Sequence, residues 1–216
     1  KEDIAFHKFI QYQFFKQWYQ LKAYANEQGI SIIGDLPIYT AADSVEVWAH
    51  PELFELNVLN RPAEVAGCPP DCFSATGQLW GNPVYHWEQH RKTGYAWWIH
   101  RLGYVSKLFD MVRIDHFRGF ESYYSIPAKK ETAEHGTWMP GPGLELFQAA
   151  QQKLGELNIL AEDLGNITPQ VRKLLAETGY PGMKVLQFAF DSDADNEFLP
   201  HNYTTSHCVV YTGTHD

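Results

Sequence analysis

Two charged residues separated by one position give the segment 111–119 (MVRIDHFRG) its chemical character. Apolar and polar residues alternate there before a glycine, which predicts a strand that runs out into a loop. Side chains two apart on a strand share a face, so Arg113 would lie beside Asp115. A neighbouring guanidinium keeps a carboxylate ionised at neutral pH, which makes Asp115 a candidate nucleophile or electrostatic stabiliser. An ion pair that only positions two side chains would leave the same pattern.

Carboxylates also follow two later predicted strands: Glu162 after the apolar run 159–161, and Asp216 after the last strand. Cleavage of a glycosidic bond needs two carboxyl groups, one that attacks or stabilises and one with a raised pKa that protonates the leaving oxygen. Glu162 suits the acid because the apolar run would desolvate it, and Asp216 could grip sugar hydroxyls. Asp163 would point to the opposite side of its strand, which favours a structural role. Solvated strand ends without a catalytic task are the alternative to this site.

A metal-dependent hydrolase of barrel fold is an alternative hypothesis, because His116 and His215 each adjoin a carboxylate. The sequence has no His-x-His or His-Glu-x-x-His motif, so hydrogen bonds from these histidines to substrate hydroxyls are favoured over metal ligation. Cys68 and Cys72 lack the second Cys/His pair that a structural zinc site requires. We therefore expect no metal and no cofactor.

Composition excludes several classes of partner. The net charge of −9 argues against binding to a nucleic-acid backbone. The sequence has no run of 18 apolar residues and no leader, so we expect a soluble, cytoplasmic protein without a membrane partner. No glycine-rich phosphate motif follows a predicted strand, which disfavours nucleotide binding. The aromatic share of 15% suits either a core or stacking on the apolar faces of sugars.

Predicted strands alternate with helical or loop segments, which is typical of a parallel sheet with crossover connections. The strands are predicted at residues 30–37, 111–115, 158–165, 183–190 and 208–212. Helices are predicted at 2–28, 94–110, 144–157 and 168–178, with a short one beginning at Ser44. The first helix carries an apolar stripe of Phe6, Ile10, Phe14, Trp18, Leu21 and Ala25. Polar residues follow several strands, at the face where active sites of α/β sheets and barrels lie.

Two long stretches, 61–87 and 120–142, have no regular periodicity and are predicted to be loops. The first is rich in Pro and Gly but also contains Trp80, Tyr85 and Trp87, and this aromatic content argues against disorder. Long ordered loops in compact domains are usually lids or binding loops. We therefore expect 61–87 to form a lid over the strand ends.

Six short runs of this sequence resemble, in this order, the 4-alpha-glucanotransferases (amylomaltase or disproportionating enzyme) of glycoside hydrolase family 77 in the alpha-amylase clan. The runs are 33–39 (IGDLPIY), 67–71 (GCPPD), 77–83 (GQLWGNP), 113–119 (RIDHFRG), 161–165 (AEDLG) and 211–216 (YTGTHD). The resemblance covers essentially the whole chain. It implies a (β/α)8 TIM barrel and retaining transfer of an α-1,4-glucan segment from a donor maltodextrin to the 4-OH of an acceptor glucan or glucose.

The resemblance also implies roles for individual residues. Asp115 would be the nucleophile that forms a covalent glycosyl-enzyme, Glu162 the general acid/base and Asp216 the stabiliser of the distorted sugar. The residues that would contact substrate are Arg113, His116, His215, Asp35, Asp71, Phe73, Gln78, Trp80 and Asn82. The implied partners are maltooligosaccharides and α-1,4-glucans.

The resemblance makes residues 1–216 a segment of one catalytic barrel domain, holding about its third to seventh strands. The parts of the barrel on either side would be missing, which would expose strand edges. We expect such a piece, if isolated, to be inactive or to fold only by association. A carbohydrate-binding fragment without activity is therefore a further alternative.

Overall fold

The computed structural model describes residues 2–71, 74–190 and 192–214. The strands in these ranges are β1 (Ile33–Pro37), β2 (Glu64–Cys68), β3 (Gln78–Pro83), β4 (Met111–Asp115), β5 (Ser122–Pro127), β6 (Thr137–Pro140), β7 (Ile159–Ala161), β8 (Gly182–Val185) and β9 (Cys208–Tyr211). The α-helices are α1 (Glu2–Glu27), α2 (Val45–Ala49), α3 (Trp87–Lys92), α4 (Ala96–Leu108), α5 (Leu144–Leu154) and α6 (Pro169–Thr178).

The five strands predicted from sequence all form parallel pairs. β4 lies between β1 and β7, and β8 pairs with β9. The backbone N–H of Ala161 donates to the carbonyl of Pro181 at 2.9 Å, which joins the end of β7 to the residue that precedes β8. Helices α4, α5 and α6 connect or flank these strands, so the α/β class is confirmed.

The two stretches predicted to be loops instead contribute a second sheet. β3, β2, β5 and β6 lie side by side in that order, and each neighbouring pair is antiparallel. The prediction was wrong because Gly and Pro interrupt the alternation, while the pairing partners lie far apart along the chain, as with Val65 opposite Ile126. Gly67 is required for close approach, since a Cβ there would lie 2.1 Å from the carbonyl oxygen of Gln78. The segment 61–87 is therefore not irregular throughout, because it contains the paired strands β2 and β3.

Helix α1 follows its predicted bounds, but only Trp18 and Ala25 of the predicted apolar stripe are partly buried. Phe14 of the predicted stripe is more than half exposed. The partly buried residues are Gln13, Phe15, Trp18, Lys22 and Ala25. Polar anchors set this orientation, because Trp18 Nε1 donates to the carbonyl of Leu108 at 3.0 Å and Lys22 Nζ pairs with Asp110 Oδ1 at 3.2 Å. No helix within the described ranges is long and apolar enough to cross a membrane.

Helix and strand ends differ from the prediction where the backbone turns sharply. The helix predicted at 94–110 is α4, which begins at Ala96 because Gly94 and Tyr95 before it both have positive φ (61° and 59°). The short helix α3 that precedes this turn was not predicted. The strand predicted at 183–190 ends at Val185, where a turn of 3₁₀ helix begins. Thr168 caps α6 as the sequence indicates, with its hydroxyl accepting from the N–H of Val171 at 3.3 Å.

An aromatic cluster lies behind the carboxyl end of β4. Phe117 and Phe120, on the 3₁₀ turn that follows β4, are fully buried. The ring of Phe120 lies 5.1 Å from Trp98 of α4 and 5.0 Å from Phe147 of α5, measured between centroids. Close edge-to-face packing of this kind restrains the turn from behind. The residues at the end of β4 are therefore presented from a rigid support.

Gly34 on β1 lies directly against an aromatic ring, so an alanine there should destabilise the fold. Its Cβ would lie 2.0–2.4 Å from ring atoms of Phe109. We expect Gly34→Ala to lower the free energy of unfolding by about 1–3 kcal/mol, measured by urea denaturation. The matched control is Gly103→Ala in α4, whose Cβ would lie 2.9 Å from the flexible tip of Leu154. The higher helix propensity of alanine, worth up to about 1 kcal/mol, should offset this contact and leave the stability of the control near that of the parent. Equal losses of stability in the two variants would contradict this account.

Candidate active site

Arg113 holds carboxylates from two neighbouring strands. Its Nη1 lies 2.7 Å from Asp35 Oδ1 on β1, and its Nη2 lies 2.9 Å from Asp115 Oδ1 at the end of β4. The predicted contact between Arg113 and Asp115 is therefore present. The Arg113 side chain is 10% exposed, whereas those of Asp35 and Asp115 are 45% and 41% exposed. The site thus has a buried cation beneath two carboxylates that solvent or a ligand reaches.

Glu162 lies one residue beyond β7 and is almost sealed from solvent at 8% exposure. Its Oε2 accepts from the backbone N–H of His116, and its Oε1 accepts from the backbone N–H of Leu164, both at 2.7 Å. The two donors come from different segments, one after β4 and one after β7. The carboxyl is thereby fixed by backbone groups on both oxygens.

Opposing effects act on the ionisation of Glu162. Burial and the negative charge of Asp115 disfavour the carboxylate. The N–H groups of Leu164 and His116, together with the charge of Arg113, favour it. Burial is the largest effect and raises the pKa of Glu162 from 4.5 to about 7. The carboxyl therefore gains and loses a proton near neutral pH, as a general acid/base requires. The sequence predicted this desolvation from the apolar run before it.

His116 has a left-handed backbone, with φ 56°. Non-glycine residues rarely adopt this conformation, and here it aims the N–H of His116 at Glu162. Its ring meets Trp80 of β3 edge-on, with centroids 4.8 Å apart. Burial of the ring, together with the charge of Arg118, lowers the pKa of His116 to about 3, so the imidazole is neutral. Its Nε2 is buried and has no hydrogen-bond partner among the described residues.

The remaining predicted substrate-contact residues on and before β3 are held by hydrogen bonds to a neighbouring side chain or to the backbone. Gln78 Oε1 accepts from the Trp80 indole N–H at 3.0 Å. Asn82 Nδ2 donates to the carbonyl of Thr40 at 2.9 Å, which links β3 to the segment after β1. Asp71 Oδ1 accepts from the N–H of Ser74 at 2.9 Å, within the connection between β2 and β3.

Three predicted site residues, Phe73, His215 and Asp216, lie outside the described residues. Within the described ranges, no group of three or more His, Cys, Asp and Glu side chains is placed to hold a metal ion. Asp163 has the structural contact expected of it, since its Oδ1 accepts from the N–H of Met183 at 2.7 Å. The structure thus brings together Asp35, Arg113, Asp115, His116, Glu162 and Trp80.

Sequence reasoning missed Arg118 and Tyr39, which both pack beside the site. Arg118 is 4% exposed and its guanidinium lies 3.9 Å above the ring of Trp138 on β6. Tyr39 is buried with its ring 6.2 Å from that of Trp80. Arg118 and Tyr39 lie within the family-like runs 113–119 and 33–39, but their spacing does not distinguish them from other residues there. The N–H donors to Glu162 have no sequence signal at all.

The fold and these contacts define an α/β protein with a carboxylate-based site at the carboxyl ends of parallel strands. A family model described as 4-alpha-glucanotransferase matches residues 1–216. The chain is 52% identical to a 4-alpha-glucanotransferase of Clostridium butyricum, covering 100% of this chain and 44% of that protein. It is 57% identical to a 4-alpha-glucanotransferase of Thermus thermophilus, covering 100% and 43%.

A solved structure described as amylomaltase from Streptococcus agalactiae in complex with acarbose is similar over the whole chain. The TM-score is 0.96 at 50% identity, with 100% of this chain and 43% of that chain covered. The chain belongs to the 4-alpha-glucanotransferase family. It spans less than half the length of these relatives.

The raised pKa of Glu162 has a consequence for stability. Because the folded-state pKa of about 7 lies above the ordinary value of 4.5, the folded protein binds the proton more tightly and loses stability as pH rises between these values. Glu162→Gln removes this titration. We expect the free energy of unfolding of the variant, relative to the parent, to increase by about 3 kcal/mol from pH 4.5 to pH 7. Urea denaturation across this range measures it, and parallel curves would contradict a raised pKa.

Proposed function

We propose that residues 1–216 form the central part of the catalytic (β/α)8 barrel of a 4-alpha-glucanotransferase. The substrates are α-1,4-glucans and maltooligosaccharides, and the reaction moves a glucan segment to the 4-OH of an acceptor. Membership of the family supports this activity. The run of parallel strands β1, β4, β7, β8 and β9, in which β7 meets the start of β8, supports the barrel.

The observation that carries the proposal is the contrast between two carboxyl groups at adjacent strand ends. Asp115 is accessible and paired with Arg113, which suits a group that attacks as an anion. Glu162 is buried, with a pKa of about 7, which suits a group that gives and takes a proton. Retaining glycoside chemistry divides its work between two carboxyl groups in this way.

In the first step, an oxygen of Asp115 attacks C1 of the donor sugar. The bond between C1 and the leaving O4 breaks, and the proton of Glu162 moves to that oxygen. A covalent glycosyl-enzyme is left on Asp115, and Glu162 becomes a carboxylate. Arg113 orients Asp115 for attack, while the N–H groups of His116 and Leu164 stabilise the new carboxylate of Glu162.

In the second step, the acceptor's 4-OH attacks C1 and gives its proton to Glu162, and the bond to Asp115 breaks. Two inversions return the original configuration. Water competes for the same intermediate, so transfer needs a site that excludes it. We assign Asp216 to stabilisation of the distorted sugar. Substrate contacts are assigned to Arg113, His116, His215, Asp35, Asp71, Phe73, Gln78, Trp80 and Asn82.

Asp115→Asn removes the proposed nucleophile with little change in shape. The assay uses the enzyme with its complete barrel, since residues 1–216 in isolation are expected to be inactive. We expect transfer from maltotriose, monitored by glucose release and chain-length analysis, to fall by roughly 10³-fold or more. Binding of maltoheptaose, measured by isothermal titration calorimetry, should survive. The matched control is Asp195→Asn on an exposed loop, which should keep parent activity. Near-parent transfer by Asp115→Asn would remove the nucleophile assignment, whereas binding without turnover in the parent would favour a carbohydrate-binding protein.

Glu162→Gln separates the acid role from other contributions to rate. A sugar leaving group needs a proton from Glu162, but fluoride leaves without one. We expect transfer from maltotriose to fall by roughly 10²–10⁴-fold and formation of the glycosyl-enzyme from α-maltosyl fluoride to fall much less. Fluoride release and glucose release report the two reactions. An equal loss with both donors would argue against Glu162 as the acid.

A further inference from the structure

Arg118 joins the segments that follow β4 and β7. It lies on the 3₁₀ turn Phe117–Phe120, and its Nη1 donates to the backbone carbonyl of Asn166 in the loop after β7. Its Nη2 donates to the Ser122 hydroxyl at 3.1 Å. The guanidinium also stacks on Trp138 of the antiparallel sheet at 3.9 Å. At 4% exposure, this side chain is a buried connection between three parts of the fold.

The same two segments supply the groups that hold Glu162. The N–H of His116 belongs to the segment after β4, and the N–H of Leu164 belongs to the loop after β7. That loop has a positive φ at Gly165 and is exposed at Gly165 and Asn166, so packing restrains it little. Two backbone bonds already join the segments at Glu162, whose carbonyl accepts from the N–H of Phe117 at 3.1 Å and whose N–H donates to the carbonyl of Ile114 at 3.0 Å. The bond from Arg118 to Asn166 adds a tie on the far side of Leu164 and so restrains the separation between the two N–H donors.

We propose that Arg118 is a positioning residue for the acid/base step, because it holds in place the two backbone N–H groups that orient the Glu162 carboxyl. It acts through the backbone and does not itself contact that carboxyl in the hydrogen bonds described. This inference rests on the proposed function only for its effect on catalysis. The effect on Glu162 itself is measurable without turnover.

Several other ionisable groups face this region and must stay unchanged in a test. Asp115 and Arg113 face Glu162 from β4, and Cys68 faces it from β2. His116, Glu121, Cys68 and Tyr39 face Arg118. Burial raises the pKa of Cys68 to about 11, so its thiol is neutral around pH 7. The variants chosen below leave all of these groups in place.

The test is a ¹³C NMR titration of the Glu162 carboxyl in the purified protein, with the signal assigned through its loss in Glu162→Gln. In Arg118→Met, the N–H donors are no longer held against the carboxylate. Weaker hydrogen bonds to the charged form raise a carboxyl pKa, so we expect the midpoint to rise by about one pH unit above the parent's. An unchanged midpoint in a folded variant would overturn the proposal.

Arg118→Lys separates positioning from charge and also serves if Arg118→Met fails to fold. A lysine keeps the positive charge, but its single ammonium lacks the fork that reaches both Asn166 and Ser122. We expect its midpoint to rise by roughly half a pH unit. A midpoint equal to the parent's would overturn the positioning role, since only the charge would then matter.

Arg101→Met is the matched control. Arg101 also donates to backbone carbonyls, those of Pro37 at 2.8 Å and Ile38 at 3.0 Å, and also lies over tryptophan rings. Its loss should lower stability without moving the Glu162 midpoint. A shift as large as that of Arg118→Met would mean that general loosening, not positioning, moves the titration.

Kinetics complete the test, since the descending limb of the kcat/KM profile against pH follows protonated Glu162. We expect this limb to move to higher pH in Arg118→Met by the same interval as the NMR midpoint, while kcat at the optimum falls. A shifted NMR midpoint without glucan turnover in any variant would keep the positioning of Glu162 and remove the proposed function. Glucan turnover with an unshifted NMR midpoint in Arg118→Met would keep the proposed function and remove the positioning role of Arg118.

Discussion

The guanidinium of Arg113 holds together the two strands on which the site depends. Asp35 lies opposite Arg113 in the register of β1 and β4, and Asp115 follows two residues later on the same face. Two carboxylates so close would repel without a cation between them, and the nearly buried cation would be unstable without them. Each charge therefore requires the others. The triad fixes both the direction of Asp115 and the alignment of the strand ends.

Beside this triad, the fold gives a second carboxyl the opposite environment. Glu162 is buried, and its hydrogen bonds in the described part of the chain come from backbone N–H groups rather than side-chain cations. Two such donors favour the carboxylate, yet the pKa rises, so burial outweighs them. The difference between an accessible anion and a buried acid comes from depth in the fold. Both groups stand at ends of neighbouring strands.

The antiparallel sheet and the aromatic cluster both pack against the segment that follows β4. Trp80 of β3 covers the ring of His116, and Trp138 of β6 lies against Arg118. Behind them, Phe117 and Phe120 anchor the turn that forces His116 into its left-handed backbone. A strained residue persists only where its surroundings over-determine it. The packing therefore maintains the N–H of His116 in the direction of Glu162.

The sequence by itself determined the five parallel strands, most helices and the candidate residues Arg113, Asp115 and Glu162. These follow from local periodicity and from charged residues at strand ends, which the chain carries within a few positions. Only the tertiary structure decided the antiparallel sheet, the contact face of α1 and the contacts of Arg118. Those depend on pairing between distant segments and on backbone N–H groups, which every residue except proline shares and no residue type reveals.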